Sequence, residues 1–173
     1  MDQPVESGAK APLSIQERLY PGLTCFGCGP ANPRGLHLRS FPDGEVVRAE
    51  FRPWPEHDNG FGFVNGGIIA TVLDCHSGAA VYHATSAAGP DAGDDPATGK
   101  VPAPYVTAGL DVRYLRPSPL DEPLDLVAAI AAATPDQITV EVELAARGRT
   151  CAAASALWRR WRPRGPDSGQ SGR

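Results

Sequence analysis

One segment of this 173-residue chain constrains its fold more than any other, because it is apolar on nearly every side when drawn as a helix. It covers residues 66–83. Its main stripe consists of Ile68, Val72, Cys75 and Ala79. Since such a helix has no face suited to water, it belongs in the interior of a protein. We expect a strongly curved sheet to wrap it or a second copy of the chain to help bury it, and both alternatives favour an oligomer.

The segments on either side of this helix read as β-strands with turn residues between them. Before it, the runs 36–41 and 45–51 flank Pro42-Asp43-Gly44, which predicts a β-hairpin. After it come four further runs: 105–115, 124–133, 137–146 and 150–161. Short turns join these four, and short connections place consecutive strands side by side and antiparallel. The order predicts an α+β fold in which one helix packs against one antiparallel sheet.

Alternation within two of the later runs predicts which side chains face the core. In the run 137–146 the inward residues are Ile138, Val140, Val142 and Leu144. In the run 105–115 they are Val106, Ala108, Leu110, Val112 and Tyr114. Between the helix and these strands, residues 86–104 are expected to form a flexible polar insert.

Length and composition favour one domain, because 42% hydrophobic residues suffice for a single core in a chain of this size. We expect that domain to span residues 23–162, after a tail and a short helix in residues 1–22 and before a disordered tail in residues 163–173. Ser14 is predicted to cap the short helix, with Glu17 three positions later.

The formal charge of −4 gives no reason to expect a nucleic acid partner. The chain shows no apolar run of about eighteen residues and no signal peptide, so we expect a cytoplasmic protein without a membrane partner.

Two glycines at the start of the predicted helix suggest chemistry in addition to packing. The backbone of Gly66 and Gly67 is open to close approach, and the first N–H groups of a helix have no partner inside it. Such groups can hold a phosphate, or the oxyanion that develops on a carbonyl under attack. The alternative is that the two glycines only let the helix enter under the sheet.

Asp74 is costly inside an apolar helix unless it has partners or a function. A partly buried carboxylate with a raised pKa suits a general base or a nucleophile. The alternatives are that Asp74 faces solvent or pairs with an arginine such as Arg113. At about 1.5 Å per residue, Asp74 lies roughly 10–13 Å along the helix from Gly66. We therefore expect Asp74 of one chain to act beside Gly66 of another, across a two-fold interface with two equivalent sites.

Cys25 and Cys28 form a CxxC pair that raises the question of a metal site. Structural zinc needs four ligands, commonly two such pairs, and the sequence has no second pair. The spacing of His37 and His57 fits no standard zinc pattern. A redox pair normally opens a helix, whereas this pair is followed by turn residues. We expect two reduced thiols in a tight loop, with no metal and no cofactor.

Four stretches together resemble the hot-dog fold acyl-CoA thioesterases, in particular the phenylacetyl-CoA thioesterase-like branch. They are CFGCGPANPRGL at 25–36, the segment from HDNG to NGG at 57–67, Leu73-Asp74, and VTAGLDVRYLRP at 106–117. The resemblance covers about residues 23–161 and implies one long central helix wrapped by a curved antiparallel sheet. It also implies an acyl-CoA substrate and a homodimer, or a tetramer formed from two dimers.

The resemblance implies roles residue by residue. Gly66 would donate the backbone N–H that polarises the thioester carbonyl, and Asp74 of the facing subunit would activate water or attack directly. Thr107 matches a Ser/Thr position that helps hold the water, and Asn59 matches a position near the thioester. The implied catalytic set is Asp74, Gly66, Asn65, Thr107 and Asn59. The substrate-binding set is Gly67, His57, Arg113 and Arg116, in which the arginines are placed near the CoA phosphates on charge alone.

One position departs from the family pattern, because Asn65 stands where relatives have histidine. Asparagine can cap and hydrogen-bond, but it cannot act as an acid near neutral pH. The predicted function is hydrolysis of an acyl-CoA thioester, and the alternative is a protein that binds acyl-CoA without cleaving it. A hot-dog dehydratase or hydratase is disfavoured, because those enzymes place a catalytic histidine over this helix. His76 points away from Asp74 around the helix, so we expect no Asp–His dyad.

Overall fold

A computed structural model describes residues 11–87 and 104–162. The predicted C-terminal tail, most of the N-terminal tail and most of the polar insert lie outside the described residues. Spanning a bilayer would need a longer or more apolar helix than any found in these two stretches.

The helices and strands follow one another in the order that the sequence predicts. The elements are α1 (Ile15–Leu19), β1 (Ser40–Asp43), β2 (Val46–Phe51), a 3₁₀ turn (Pro55–His57), α2 (Gly66–Ala87), β3 (Tyr105–Tyr114), β4 (Leu124–Ala133), β5 (Gln137–Ala146) and β6 (Arg149–Arg160). The hairpin β1–β2 is confirmed, although β1 begins at Ser40 and not at Leu36. α2 begins at the predicted Gly66 and continues past His83 to Ala87.

The six strands form one antiparallel sheet in the order β1-β2-β4-β5-β6-β3. Consecutive strands pair as predicted in β1–β2, β4–β5 and β5–β6. The prediction is wrong for β3 and β4, because β3 pairs with β6 and β4 pairs with β2. The connection over residues 115–123 is longer than a hairpin turn and lies against the segment before α2, where the Val64 N–H donates to the Ser118 carbonyl at 2.9 Å. β3 is consequently an edge strand with no second strand partner among the described residues.

The middle of α2 is buried within a single chain. One side of it contacts all six strands, so the sheet curves around the helix. The N-terminal segment, which is the described chain before β1 (residues 11–39), covers the other side. There a Cβ at Gly27 would lie 2.3 Å from the Cys75 sulfur. Every residue from 75 to 81 is buried as a result, and the first turn of α2 is only partly covered. The sheet and the N-terminal segment therefore share the burial of the helix.

Two local predictions about the core and the first helix are confirmed. The inward residues of β5 are all buried, namely Ile138, Val140, Val142 and Leu144. Ser14 caps α1, and the Glu17 side chain accepts a hydrogen bond from the Ser14 backbone N–H, which completes a capping box.

A bulge in β3 changes the inward face that the sequence predicts. The pairing with β6 slips after Thr107 and leaves Ala108 as the extra residue. Beyond the bulge, Leu110 and Val112 pack on the core as predicted. Before the bulge the inward and outward positions of the strand are exchanged, so Thr107 reaches the helix while Val106 is 44% exposed. The prediction for Val106 and Ala108 is therefore wrong, because a uniform period of two takes no account of an extra residue.

Trp158 joins β6 to α2 by a buried hydrogen bond. Its indole N–H donates to Ser77 Oγ at 2.9 Å, and Ser77 Oγ donates to the Asp74 carbonyl at 2.7 Å. Gly78 allows this approach, because a Cβ at residue 78 would lie 2.8 Å from the indole ring. The glycine inside α2 is therefore required by packing against Trp158.

We predict that Gly78→Ala destabilises the fold, although alanine is the better helix former. The added methyl group would overlap the Trp158 ring, and overpacking of this kind costs about 1–3 kcal/mol. Chemical denaturation followed by circular dichroism measures the free energy of unfolding. In a Trp158→Phe background, which lacks the outer indole ring, the same substitution should cost less. An equal cost in both backgrounds would contradict the assigned contact.

Candidate active site

Asp74 lies on the side of α2 that faces the first half of β3. Its Oδ1 accepts a hydrogen bond of 2.7 Å from Thr107 Oγ1, a contact that the bulge at Ala108 allows. Burial raises the pKa of the Asp74 carboxyl above its ordinary value, the Thr107 hydrogen bond lowers it in part, and negative charge on Cys25 raises it further. The result is a half-buried carboxylate with increased proton affinity, which suits a general base.

An apolar cavity of about 310 Å³ opens beside Asp74. Its walls come from α1, the loop after α1, α2 and β6. The apolar and aromatic residues that line it include Ile15, Tyr20, Leu23, Ala79, Tyr82 and Trp158. Asp74 is the one carboxylate among the described residues of this lining. No local sequence pattern indicates this cavity, because its walls come from segments far apart in the chain.

The start of α2 is capped in a way that leaves one N–H group available. Asn65 Oδ1 accepts a hydrogen bond of 2.8 Å from the Gly67 N–H, and the Asn65 carbonyl accepts one of 3.1 Å from the Ile69 N–H. Asn65 is therefore the N-cap, and Gly66 is the first helical residue. Within residues 11–87 and 104–162, the Gly66 N–H donates to no acceptor. This group can bind a ligand at the positive end of the helix dipole.

Tyr114 holds Gly66 from the side of β3. Its hydroxyl donates to the Gly66 carbonyl at 2.8 Å, and a Cβ at residue 66 would contact the Tyr114 ring at 3.4 Å. Sequence reasoning placed Tyr114 on the inward face of the strand but missed this contact, because no local pattern links positions that are 48 residues apart.

An open cleft of about 700 Å³ surrounds the start of α2. Asn59, Gly67 and Arg116 line it together with Gly66. Asn59 Oδ1 accepts a hydrogen bond of 2.9 Å from the Phe61 N–H, and Arg116 Nη1 donates to a β6 carbonyl at 2.6 Å. Four of the predicted site residues thus line this cleft, and a fifth, Asn65, caps the same helix start.

Two predicted substrate-binding residues lie elsewhere. The His57 ring is buried, stacked 5.5 Å from the Phe51 ring and next to Trp54. Only its carbonyl reaches the helix start, where it accepts a hydrogen bond of 2.8 Å from the Asn65 N–H. Arg113 is exposed on the outer face of β3, because its neighbours in the strand face the core. Neither residue lines the cleft or the cavity, and among the described residues no arginine forms an ion pair with Asp74.

His76 occupies the opposite side of α2 from Asp74, so the expected absence of a dyad agrees with its contacts. Its Nδ1 lies 3.0 Å from Ser40 Oγ, its Nε2 lies 3.0 Å from the Val47 carbonyl, and the residue is fully buried. Burial lowers the pKa of His76 to about 4, so the ring is neutral in the core. No histidine is among the described residues that line the cleft at Gly66.

The CxxC loop folds back onto α2 and meets a third cysteine. The sulfur atoms of Cys25, Cys28 and Cys75 all lie within 4.8 Å of one another, and those of Cys25 and Cys75 are 3.7 Å apart. The Cys75 hydrogen bond, and then the N–H groups of Cys28 and Gly27, lower the pKa of Cys25 to about 5. The same Cys75–Cys25 bond raises the pKa of Cys75. Sequence reasoning missed this cluster, because no spacing rule connects cysteines fifty positions apart.

Within one chain the two halves of the predicted site stay apart. Asp74 borders the cavity, Gly66 borders the cleft, and no described residue lines both. Asp74 lies eight residues along α2 from Gly66, which corresponds to a rise of about 12 Å.

Comparison with known proteins identifies the family. A sequence model of the thioesterase superfamily matches residues 61–153, more than half of the chain. A search of curated proteins finds no match. Among solved structures, a thioesterase superfamily protein from Shewanella loihica is 29% identical, with a TM-score of 0.58 over 77% of this chain and 98% of that one.

Two more distant structures share the fold. A phenylacetic acid degradation-related protein of thioesterase type from Ralstonia eutropha is 20% identical, with a TM-score of 0.63 over 84% of this chain and 98% of that one. A Streptococcus mutans protein crystallised with acetyl-CoA is 18% identical, with a TM-score of 0.54 over 70% of this chain and 86% of that one. One long helix against a curved, six-stranded antiparallel sheet confirms the predicted hot-dog fold. The chain therefore belongs to the thioesterase superfamily.

Proposed function

We propose that the protein is an acyl-CoA thioesterase that hydrolyses an acyl-CoA thioester to a free acid and CoA. The observation that carries this proposal is the half-buried Asp74, hydrogen-bonded to Thr107 and bordering an apolar cavity. Membership of the superfamily supports thioester hydrolysis. The acetyl-CoA in the similar Streptococcus mutans structure supports a CoA thioester as the ligand.

The proposed site is shared between two copies of the chain that pair along the open edge of β3. Asp74 is held beside Thr107, near the start of β3, and Gly66 is held beside Tyr114, at its end. Antiparallel pairing of two β3 strands around a two-fold axis near Leu110 brings the start of one strand to the end of the other. Asp74 of one copy then approaches Gly66 of the partner subunit, and the symmetry repeats this contact in a second site.

Exposed apolar side chains around this edge support the pairing. Val106, Tyr114 and Leu115, on β3 and just after it, are 44%, 55% and 52% exposed. Phe61 and Phe63, which line the cleft at Gly66, are 83% and 39% exposed. Clustered apolar groups at a surface mark sites of interaction, so a homodimer is the proposed functional unit.

In the proposed reaction Asp74 accepts a proton from a water molecule held by Thr107, and the resulting hydroxide adds to the thioester carbonyl carbon. The N–H of Gly66 of the partner subunit stabilises the negative charge that develops on the carbonyl oxygen. The C–S bond then breaks, and the proton on Asp74 passes to the departing CoA thiolate. In the variant with direct attack, the Asp74 carboxylate adds to the thioester carbonyl carbon, and the C–S bond breaks to release the CoA thiolate and leave a mixed anhydride. Water then hydrolyses the anhydride to the free acid and the Asp74 carboxylate, and the proton released in this step passes to the thiolate.

The apolar cavity and the open cleft suit the acyl group and the CoA part of the proposed substrate, respectively. The apolar cavity beside Asp74 is the proposed site of the acyl group, since its described walls carry few polar groups. The cleft at Gly66 contains Arg116, whose guanidinium is suited to a phosphate of CoA. The exposed Arg113 on the outer face of β3 is assigned no direct role at the reacting bond.

Asp74→Asn and Asp74→Ala are predicted to lower kcat/KM for acyl-CoA hydrolysis by about 10²–10⁴-fold, the range typical of a general base. Release of thiol from a panel of acyl-CoA substrates measures the effect. Asp125→Asn removes an exposed carboxylate on β4 and should leave activity unchanged. Full activity in both Asp74 variants would overturn the mechanism. Tight binding of acyl-CoA by the wild-type protein without thiol release would favour the acyl-CoA-binding protein instead.

Gly66→Pro is predicted to lower kcat by about 10²–10³-fold, the cost of one oxyanion-hole donor. Proline lacks the N–H group but is tolerated at the first helical position. Gly66→Ala is the matched control, because it adds a similar Cβ against Tyr114 and keeps the N–H group. Equal losses of activity in the two variants would show that the N–H group is not the donor.

Co-production of the Gly66→Pro and Asp74→Asn chains tests whether the site is shared. Random pairing makes half of the dimers mixed, and each mixed dimer has one intact site, so about a quarter of wild-type activity should return. The two variants assayed separately provide the baseline. A sedimentation measurement should show twice the chain mass of 18.2 kDa, or a multiple of the dimer. A monomer in solution, or no recovery in confirmed mixed dimers, would contradict the shared site.

A further inference from the structure

Three cysteine sulfur atoms converge between the CxxC loop and α2, and the proposed hydrolysis uses none of them. Each pair lies within 4.8 Å, and the Cys25–Cys75 pair is 3.7 Å apart. In a tetrahedral zinc site with Zn–S bonds of about 2.3 Å, neighbouring sulfur atoms lie about 3.8 Å apart. The Cys25–Cys75 sulfur–sulfur distance is already close to this value, and the other two sulfur–sulfur distances would have to shorten by about 1 Å at most.

The loop is shaped around these sulfur atoms. The Gly29 N–H donates a hydrogen bond of 2.9 Å to the Cys25 carbonyl and closes the turn between the two cysteines. A Cβ at residue 27 would lie 2.3 Å from Cys75 Sγ, and a Cβ at Gly29 would lie 2.4 Å from the Cys25 nitrogen. Glycine is therefore needed at residue 27 for the loop to approach α2 this closely, and at residue 29 for the loop to close on its own backbone.

We propose that Cys25, Cys28 and Cys75 form a site for a thiophilic divalent cation of the zinc class, bound through three thiolates. A disulfide would join only two of the sulfur atoms, whereas a metal ion uses the convergence of all three. Zinc sites commonly take two ligands from a CxxC turn and further ligands from a separate element. The site does not rest on the proposed hydrolase activity, and its test needs no substrate.

Three protein ligands leave one tetrahedral position open. All three cysteines line the 310 Å³ cavity, so the open position is reached from that cavity. Zinc sites that keep an exchangeable water or ligand have this composition of three protein ligands and one open position. The ion would also fasten the CxxC loop to α2 at the residue after Asp74, which adds a stabilising cross-link to the N-terminal cover of the helix.

The test uses the full-length, reduced protein, stripped with a chelator and titrated with Co²⁺ without oxygen. The wild-type chain should develop thiolate-to-cobalt charge-transfer absorption that saturates at one ion per chain, and Zn²⁺ should remove it by displacement. Cys25→Ser, Cys28→Ser and Cys75→Ser should each lose this absorption. Cys151→Ser is the matched control, because Cys151 is a buried cysteine on β6 outside the cluster, and it should bind cobalt like the wild type.

Thermal unfolding separates the loss of a ligand from the loss of the fold. Zn²⁺ should raise the unfolding midpoint of the wild type and of Cys151→Ser, and it should leave that of Cys28→Ser unchanged. Reduced wild-type protein that binds less than stoichiometric cobalt would overturn the proposal. Binding by Cys28→Ser that equals the wild type would overturn it as well.

Discussion

The burial of α2 is the constraint on which the rest of the structure depends. The middle of this helix has no polar face, yet the sheet covers only one side of it, so the N-terminal segment covers the other. That second cover leaves a gap beside Asp74, where α1, the CxxC loop and α2 enclose the apolar cavity. The candidate site is thus a consequence of how the helix is buried, because a carboxylate stands where the two covers meet.

The bulge at Ala108 reconciles two demands on β3. The strand packs Leu110 and Val112 on the core, and it also brings the Thr107 hydroxyl to Asp74. Positions 107 and 110 would face opposite sides of a regular strand, and one extra residue between them removes the conflict. Because β3 is the edge strand, the same bulge holds the carboxylate near the border of the chain, where the proposed partner subunit would pair.

What the sequence predicts well is local, and what it misses depends on contacts between distant segments. β4 and β5 begin and end where the apolar runs do, because turn residues bound them. Asp74 is a candidate because it lies in an apolar helix and Thr107 because of the family resemblance, and the structure brings the two side chains together. His57 belongs to a recognised motif, yet its ring packs in the core, since a motif identifies a segment and not the direction of each side chain. The spacing of apolar residues along the sequence reveals neither the extra residue at 108 nor the approach of Cys75 to the CxxC loop.

Asn65 stands where the resemblance predicts a histidine. Its hydrogen bonds show that the helix start keeps an available N–H group at Gly66. An N-cap residue satisfies some of the N–H groups that a helix leaves open. Asn65 does so at Gly67 and not at Gly66, while Tyr114 restrains the Gly66 carbonyl. The donor that the proposed reaction needs belongs to the backbone, so it does not depend on a histidine at position 65. The exchange removes an ionisable group from the helix start, and Asp74 is therefore left to carry the proposed proton transfers without a second acid from this position.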